Sequence, residues 1–357
     1  MKILFYISTI RGGGAARVMV NIANEMAERG YTICFVTNFR AEHEYVLNKQ
    51  IKRCILEATE SKSNVLTKNI SRIIALNRVI KIEKPDVSIA FMKENNIRLM
   101  LASLGKTTKT IISVRNDPAR EYPSKALKLF ANFLFKNADG IVFQTEDAKR
   151  EFPISIQRKS QVILNQVDER FFYSKKDRGE YFVACGRLSK QKNYPLMLSA
   201  FSEVLKVYPN EKLRIYGEGE LRESLISMTE ALKIADSVSF MGFTQNMEDV
   251  YRDAKILLMT SDFEGLPNVV MEAMAMGVIC ISTDCPCGGP RMLITNNVDG
   301  KLVPVNNKAQ LVEAVLSVLG DSNMAYEMSN AARRSANRFK PSIIAQQWED
   351  YIKLTSK

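Results

Sequence analysis

Histidine is nearly missing. Among 357 residues there is a single imidazole, His43, and a single tryptophan, Trp348. That scarcity argues against a zinc cluster of cysteine and histidine and against a histidine-activated nucleophile. The six cysteines, at 34, 54, 185, 280, 285 and 287, form no C-x-x-C pair. They read as reduced, buried thiols of a cytosolic protein. No run of 18 uncharged apolar residues occurs, which excludes a spanning helix. The opening MKILFYISTIRGGG runs into glycines rather than a small-residue cleavage site, so a cytoplasmic chain without signal peptide is expected. There is no D-x-D, and no cluster of Asp and His marks a metal site.

What is there is a composition of 46% apolar and 25% charged residues, enough to build real cores. The length favours two domains. The net charge of +11 is uneven: residues 1–165 hold 27 lysines and arginines against 15 acids, a surplus of 12, while residues 166–357 hold 23 against 24. Such asymmetry points to an anionic partner for the first half: nucleic acid, a membrane surface or a phosphate-bearing substrate. No aromatic-studded basic motif supports nucleic acid, which is set aside.

Apolar runs of strand length alternate with helical patterns. Lys2–Ser8, Tyr31–Thr37, Val87–Phe91, Thr110–Val114, Gly140–Phe143 and Gln161–Leu164 read as strands, with helices over Ala16–Arg29 and Val65–Glu83. The rhythm restarts at Tyr181–Cys185, with further strands at Lys212–Tyr216, Val238–Met241, Ile256–Met259 and Val278–Ser282. Helices are predicted over Pro195–Tyr208, Leu221–Lys233, Asn268–Met276, Lys308–Leu319 and Pro341–Leu354. Two consecutive doubly wound α/β units follow, joined by a charged stretch near 165–178. The expected boundaries are 1–165, 166–338 and a closing helical segment, 339–357. Ligands of such sheets bind beyond the carboxyl ends of the strands.

Several loops stand there. Gly12-Gly13-Gly14 follows the first strand and opens a helix, a turn that offers bare N–H groups to an anion. It is not a dinucleotide fingerprint: position 17 is Arg, and the second strand runs into Asn38 rather than an acid. After Cys185 comes Gly186-Arg187-Leu188-Ser189-Lys190-Gln191-Lys192-Asn193, where a planar fork and a point charge flank one loop, a pair suited to a diphosphate or simply to solvent. In Glu264-Gly265-Leu266-Pro267-Asn268…Glu272, a turn with open amides leads into an apolar helix carrying one carboxylate. A ligand hydroxyl or an arginine would satisfy that carboxylate.

At these residues the chain resembles the retaining nucleotide-sugar glycosyltransferases of the GT-B fold, in the large family-four group. The resemblance rests on Gly13-Gly14-Ala15-x-Arg17, on Asn165…Val167-Asp168, on G-R-L-x-x-x-K-N, on Gly217–Leu221, on Met241-Gly242-Phe243 and on the E-x7-E element, all in order. It implies two Rossmann-like domains facing a cleft, with the closing helix over 339–357 and its Trp348 crossing back onto the first domain. Arg187 and Lys192 would then hold the donor diphosphate and stabilise it as leaving group. Glu264, with Gly265, Leu266, Pro267 and Asn268 after it, would bind the donor sugar and phosphate, and Glu272 the ribose. Gly186 would shape that loop, Gly242 and Phe243 would lie near the base, and Gly13 and Gly14 would approach from the other side. On the acceptor side stand Arg17, Arg115 and Asn116. Arg115 occupies the place where many relatives carry a histidine, and arginine stays protonated, so no enzymic base is assigned. Glu is usual where Ala16 stands.

The implied reaction is transfer, without metal or cofactor, of a hexose or N-acetylhexosamine from a UDP-sugar. Thr283–Arg291 resembles relatives that transfer galactose-type or N-acetylhexosamine units in surface-polysaccharide assembly. The implied acceptor is a growing glycan, on polyprenyl diphosphate. A soluble glycoside or glucan synthase and a sugar-nucleotide epimerase are the alternatives. The basic surplus, with Lys68, Arg72, Arg78 and Lys81 on one helix and Lys125 and Lys128 beside a Leu127–Phe130–Ala131–Leu134 stripe on another, predicts peripheral association with an anionic membrane face.

Overall fold

The computed structural model describes residues 1–57, 64–172 and 179–357. They divide into two units, Met1–Gln166 with Pro341–Lys357, and Val167–Lys340. The joint expected near 165–178 falls, over 173–178, outside the described residues.

The first unit runs β1 (Lys2–Ile7), α1 (Gly14–Glu28), β2 (Thr32–Thr37), β3 (Lys52–Ile55), α2 (Val65–Glu83), β4 (Val87–Phe91), α3 (Lys93–Ala102), β5 (Lys109–Val114), α4 (Pro118–Glu121), α5 (Lys125–Phe135), β6 (Gly140–Phe143), α6 (Glu146–Arg150), α7 (Ile154–Gln157) and β7 (Ser160–Val162). Its strands make one parallel sheet in the order β3-β2-β1-β4-β5-β6-β7. The inner strands are mostly apolar because helices cover both faces. Ile3, Phe5 and Ile7 share a core with Met19, Ile22 and Met26 of α1. Leu4, Tyr6, Cys34 and Val36 point the other way, to Leu76 and Ile80 of α2 and Leu99 of α3. The Asn64 side chain caps α2 by accepting from the Thr67 amide at 2.8 Å. The helix ends at Lys84, in left-handed backbone before Pro85.

The second unit runs β8 (Tyr181–Cys185), α8 (Tyr194–Val207), β9 (Leu213–Tyr216), α9 (Arg222–Ala231), β10 (Val238–Gly242), α10 (Met247–Arg252), β11 (Ala254–Met259), α11 (Asn268–Ala275), β12 (Ile279–Thr283), α12 (Gly289–Leu293), β13 (Lys301–Val303), α13 (Lys308–Gly320) and α14 (Ser322–Ala336). Its parallel order is β10-β9-β8-β11-β12-β13. The final helix, α15 (Pro341–Ser356), belongs to the first unit. Trp348, fully buried, lies 5.6 Å from the Phe91 ring. The Tyr351 hydroxyl donates to the Lys159 carbonyl at 2.6 Å and accepts from the Ile141 amide at 2.7 Å.

In each sheet the strand order reverses once, between β1 and β4 and between β8 and β11. Loops leaving the carboxyl ends of these neighbours diverge to opposite faces and leave a crevice, the usual ligand position of an open α/β sheet.

Two details differ from the sequence reading. Arg72 is not a free surface cation: it is buried and bonds Glu57 at 2.7 Å. The stripe of α5 is divided. Ala131 and Leu134 are core, Leu127 is half-buried, and the exposed apolar side chains are Leu129, Phe130 and Phe133. The sheet takes the face that the helix presents at 131, 134 and 135, one step around from the predicted centre.

Candidate functional site

In the second unit the loops after β8 and β11 meet across the strand reversal. Gly186 leaves β8 at a φ of 147°, in the region that favours glycine. A Cβ on Gly217, after β9, would stand 2.0 Å from the Gly186 carbonyl oxygen, so these two turns stack backbone to backbone. The 186–193 loop then folds onto 260–264. The Asp262 amide donates to the Gln191 carbonyl at 2.9 Å, and Gln191 Nε2 donates to the Phe263 carbonyl at 2.9 Å. Thr260 Oγ1 lies 3.0 Å from the carbonyls of both Lys192 and Asn193.

This scaffold brings Lys192 and Glu264 together: Lys192 Nζ donates to Glu264 Oε1 at 2.6 Å. Ser261 Oγ donates to the same oxygen at 2.7 Å. The pair is mostly buried, its side chains 18% and 11% exposed. Glu264 is also fixed through its backbone, donating to the Pro286 carbonyl at 2.7 Å and accepting from the Cys287 amide at 3.0 Å. Arg187 on the same loop is exposed, and its side chain has no ion-pair or hydrogen-bond partner among the described residues. Its guanidinium therefore faces solvent with all five donors open.

Gly265, Leu266 and Pro267 lead into α11, which has no side-chain cap. Among the described residues, the amides of Gly265 and Leu266 donate to no backbone carbonyl. A Cβ on Gly289 would fall 1.8 Å from the Gly265 oxygen, so the 283–291 segment packs directly on this turn. Asn268 begins α11, and Glu272, 3% exposed, lies one turn further. Glu272 faces the end of β8: burial first, and its carboxylate second among the raising causes, push the Cys185 thiol up to about 12. Gly242 ends β10 at a φ of 73° and Phe243 after it is 74% exposed.

The first unit carries the remaining residues. Gly13, at a φ of 81°, is the N-cap of α1, and it and Gly14 are exposed, with open space where a Cβ on Gly13 would lie. Arg17 is half-buried in the first turn, and the smaller Ala16 beside it is buried. Arg115 leaves β5 and turns inward. It is buried over the Phe91 ring at 4.3 Å and donates to Asn165 Oδ1 at 2.5 Å, an oxygen that also accepts from Gln144 at 2.8 Å. Burial draws its guanidinium down to about 9, still charged at neutral pH. Asn116 is half-buried, and Asp117 caps α4 through the Ala119 amide at 2.9 Å.

Two features here escaped the sequence reading. Met92, at the carboxyl end of β4, holds a φ of 77°, an outlier for a bulky residue. Glu121 is buried with one carboxylate oxygen unpartnered. Burial, then the Glu94 charge, push its carboxyl up to about 7. Neither has a spacing signature; a carboxylate in E-Y-P-S looks like any loop acid.

The profile of the family described as glycosyl transferases group 1 matches residues 165–335. An α-1,4-N-acetyl-D-galactosaminyltransferase of Campylobacter jejuni is 29% identical over 98% of this chain and 97% of its own. Its named acceptor is GalNAc-α-(1→4)-GalNAc-α-(1→3)-diNAcBac-PP-undecaprenol. Among solved structures, HepE of Anabaena bound to UDP-glucose superposes with a TM-score of 0.80 at 17% identity, covering 100% of both chains. Sucrose-phosphate synthase of Thermosynechococcus elongatus superposes at 0.85 with 14% identity, over 99% of this chain and 98% of that one. These likenesses show the GT-B fold.

Proposed function

Because the chain belongs to the group 1 glycosyltransferases and has the GT-B fold, we propose that this glycosyltransferase moves a galactose- or GalNAc-type unit from a UDP-sugar to a growing glycan on polyprenyl diphosphate, with retention and without a divalent metal. The observation that carries the reading is the Lys192–Glu264 pair across the strand reversal, with the unpartnered Arg187 on the same loop. A nucleoside diphosphate needs fixed positive charge and open amides, and this place supplies both. Arg187 and Lys192 take the diphosphate oxygens, whose charge grows as the sugar–phosphate bond breaks. Glu264 orients Lys192, the amides of Gly265 and Leu266 receive the distal phosphate and sugar, Glu272 the ribose, and exposed Phe243 the base.

No side chain is assigned as the general base. The leaving phosphate accepts the acceptor's proton on the face where it departs, which retains configuration. Arg115, enclosed over Phe91, serves this reading by holding the β5 loop and Asn116 in place rather than by reaching substrate. The acceptor reading is supported by the Campylobacter likeness over nearly the full length and by the positive surplus of the first 165 residues.

Thermal stability in the presence of UDP, GDP, ADP and their sugars tests the donor. A ligand at about 100 times its dissociation constant adds about 2.7 kcal/mol. UDP and UDP-GalNAc should raise the melting temperature above the guanine and adenine series. Transfer to a polyprenyl-diphosphate glycan should then proceed equally with and without Mn2+ or Mg2+. Stabilisation by GDP or ADP alone, or an absolute Mn2+ requirement, sinks the donor reading.

A further inference from the structure

On the first unit two thiols and a carboxylate converge. Cys34 on β2 and Cys54 on the edge strand β3 hold their sulfurs 3.6 Å apart. Glu83, the last residue of α2, brings a carboxylate oxygen to them, and the three ligand atoms all lie within 4.8 Å of one another. Cys34 is fully buried, Cys54 half-buried. Glu83 is held by Lys2 at 2.7 Å and Lys52 at 2.6 Å, one lysine on each oxygen.

We propose that Cys34, Cys54 and Glu83 form a binding site for a thiophilic divalent cation of the Zn2+ class, open to water at its fourth position. Two metal–sulfur bonds of about 2.3 Å at the tetrahedral angle set their sulfurs about 3.8 Å apart, close to the span already present. A disulfide fits less well. The parallel register pairs Cys34 with Lys52 and Val36 with Cys54, so the two cysteines are diagonal neighbours, offset by two residues. With a rise of about 3.3 Å per residue and strands about 4.8 Å apart, their Cα atoms are about 8 Å apart, beyond the reach of a disulfide without backbone movement.

Charge also balances. The ion displaces one proton from each thiol, and two thiolates neutralise its charge, so the Lys2–Glu83–Lys52 cluster keeps the balance it has. Each Glu83 oxygen has a second lone pair for the metal beside its lysine. The carboxyl-terminal end of α2 adds partial negative charge at the same point. Lys2 opens β1, which puts the cluster toward the amino ends of the strands, away from the carboxyl-end loops of the proposed reaction. A bound ion would tie the short edge strand to its neighbour and to α2.

The test is titration of the reduced full-length protein with Co2+ as probe, followed by displacement with Zn2+. The expected result is a thiolate-to-cobalt charge-transfer band with tetrahedral d–d bands, saturating at about one ion per chain with release of about two protons. Cys54→Ser, a half-exposed position that spares the core, should abolish the charge-transfer band while circular dichroism stays that of the parent. Glu83→Gln keeps both thiols; it should shift the d–d bands and weaken binding by about tenfold or more. Zn2+ should raise the melting temperature of the parent and leave that of Cys54→Ser unmoved. Absence of the band in the reduced parent, or its persistence in Cys54→Ser, overturns the site. So does ready closure of a Cys34–Cys54 disulfide in the folded chain under mild peroxide, which would give the pair to redox chemistry.

Discussion

Arg187 and Lys192 carry like charge on one short loop but stand in different circumstances, and their replacements should separate accordingly. Arg187 is exposed and unpartnered among the described residues, so Arg187→Ala removes nothing from the fold. Turnover should fall by about 10²–10³-fold, the usual loss for one donor to developing charge, with an unchanged melting temperature. Lys192→Ala should lower both, because it strands the Glu264 carboxylate in a mostly buried place. Turnover within threefold of the parent for both variants, in a saturating donor assay, would remove the anion clamp. Glu121 makes a pH prediction. Its folded-state value near 7 lies above the ordinary 4.5, so between those values the folded chain holds a proton the unfolded chain has released. Stability from this group is therefore full below about 4.5, falls as pH rises to about 7, and is level beyond. Glu121→Gln should gain on the parent across that window. Urea midpoints measured at pH 5 and pH 8 check it, and a gap that does not widen at pH 8 refutes it.

Elements with an apolar period were legible; those held by polar burial were not. The helix over Val65–Glu83 and the strand over Val87–Phe91 coincide with α2 and β4 because their apolar spacing and flanking breakers are explicit. Helix α3, KENNIRLMLA, is not among the predicted elements, and its Asn95 and Asn96 are buried. They donate to the Phe91 and Ser113 carbonyls, each at 2.8 Å, at the ends of β4 and β5. Strand β3 has four residues and two are basic, so its pairing with β2 is a tertiary fact. Helix α14 is not among the predicted helices, although it buries one face through Ala325, Met328, Ala331 and Ala332. Helix α5 carries the membrane prediction. Leu129, Phe130 and Phe133 are exposed on it, while Lys128 is occupied by Glu151 at 2.7 Å. The parent should float with anionic liposomes at low salt, and Phe130→Ser with Phe133→Ser should abolish flotation. Lys125→Glu with Lys136→Glu should weaken it in a salt-dependent way. Sedimentation of the parent away from the vesicles would refute the contact and leave the transferase reading intact. Among the described residues no helix is long and apolar enough to cross a membrane.

For the whole molecule, α15 is the element whose place no local pattern gives. It seals the first unit's core through Trp348, Tyr351 and Ile352, with Glu349 bonded to Arg29 at 2.5 Å. Trp348→Ala should destabilise that unit by about 3–5 kcal/mol, as for any large aromatic removed from a core. Peptide-resolved hydrogen exchange should show the loss across residues 1–166 with little change in 167–340. Equal loss in both units would mean that they unfold as one.

The sequence by itself determined two parallel sheets, because strands buried on both faces must be apolar and the connecting helices must be amphipathic, and both patterns are written locally. It also singled out Gly186, Arg187, Lys192, Glu264 and Glu272 as candidates, because polar residues and glycine turns next to apolar strands and helices stand out locally. Only the tertiary structure decided which of them meet. Lys192 and Glu264 are 72 positions apart and touch because β8 and β11 are neighbours where the strand order reverses. It also turned Arg115 inward, engaged Arg72 with Glu57, and set Cys34 beside Cys54 through the register of β2 and β3. Charge and residue type are properties of the chain. The distance between two side chains far apart in it belongs to the sheet that pairs their strands.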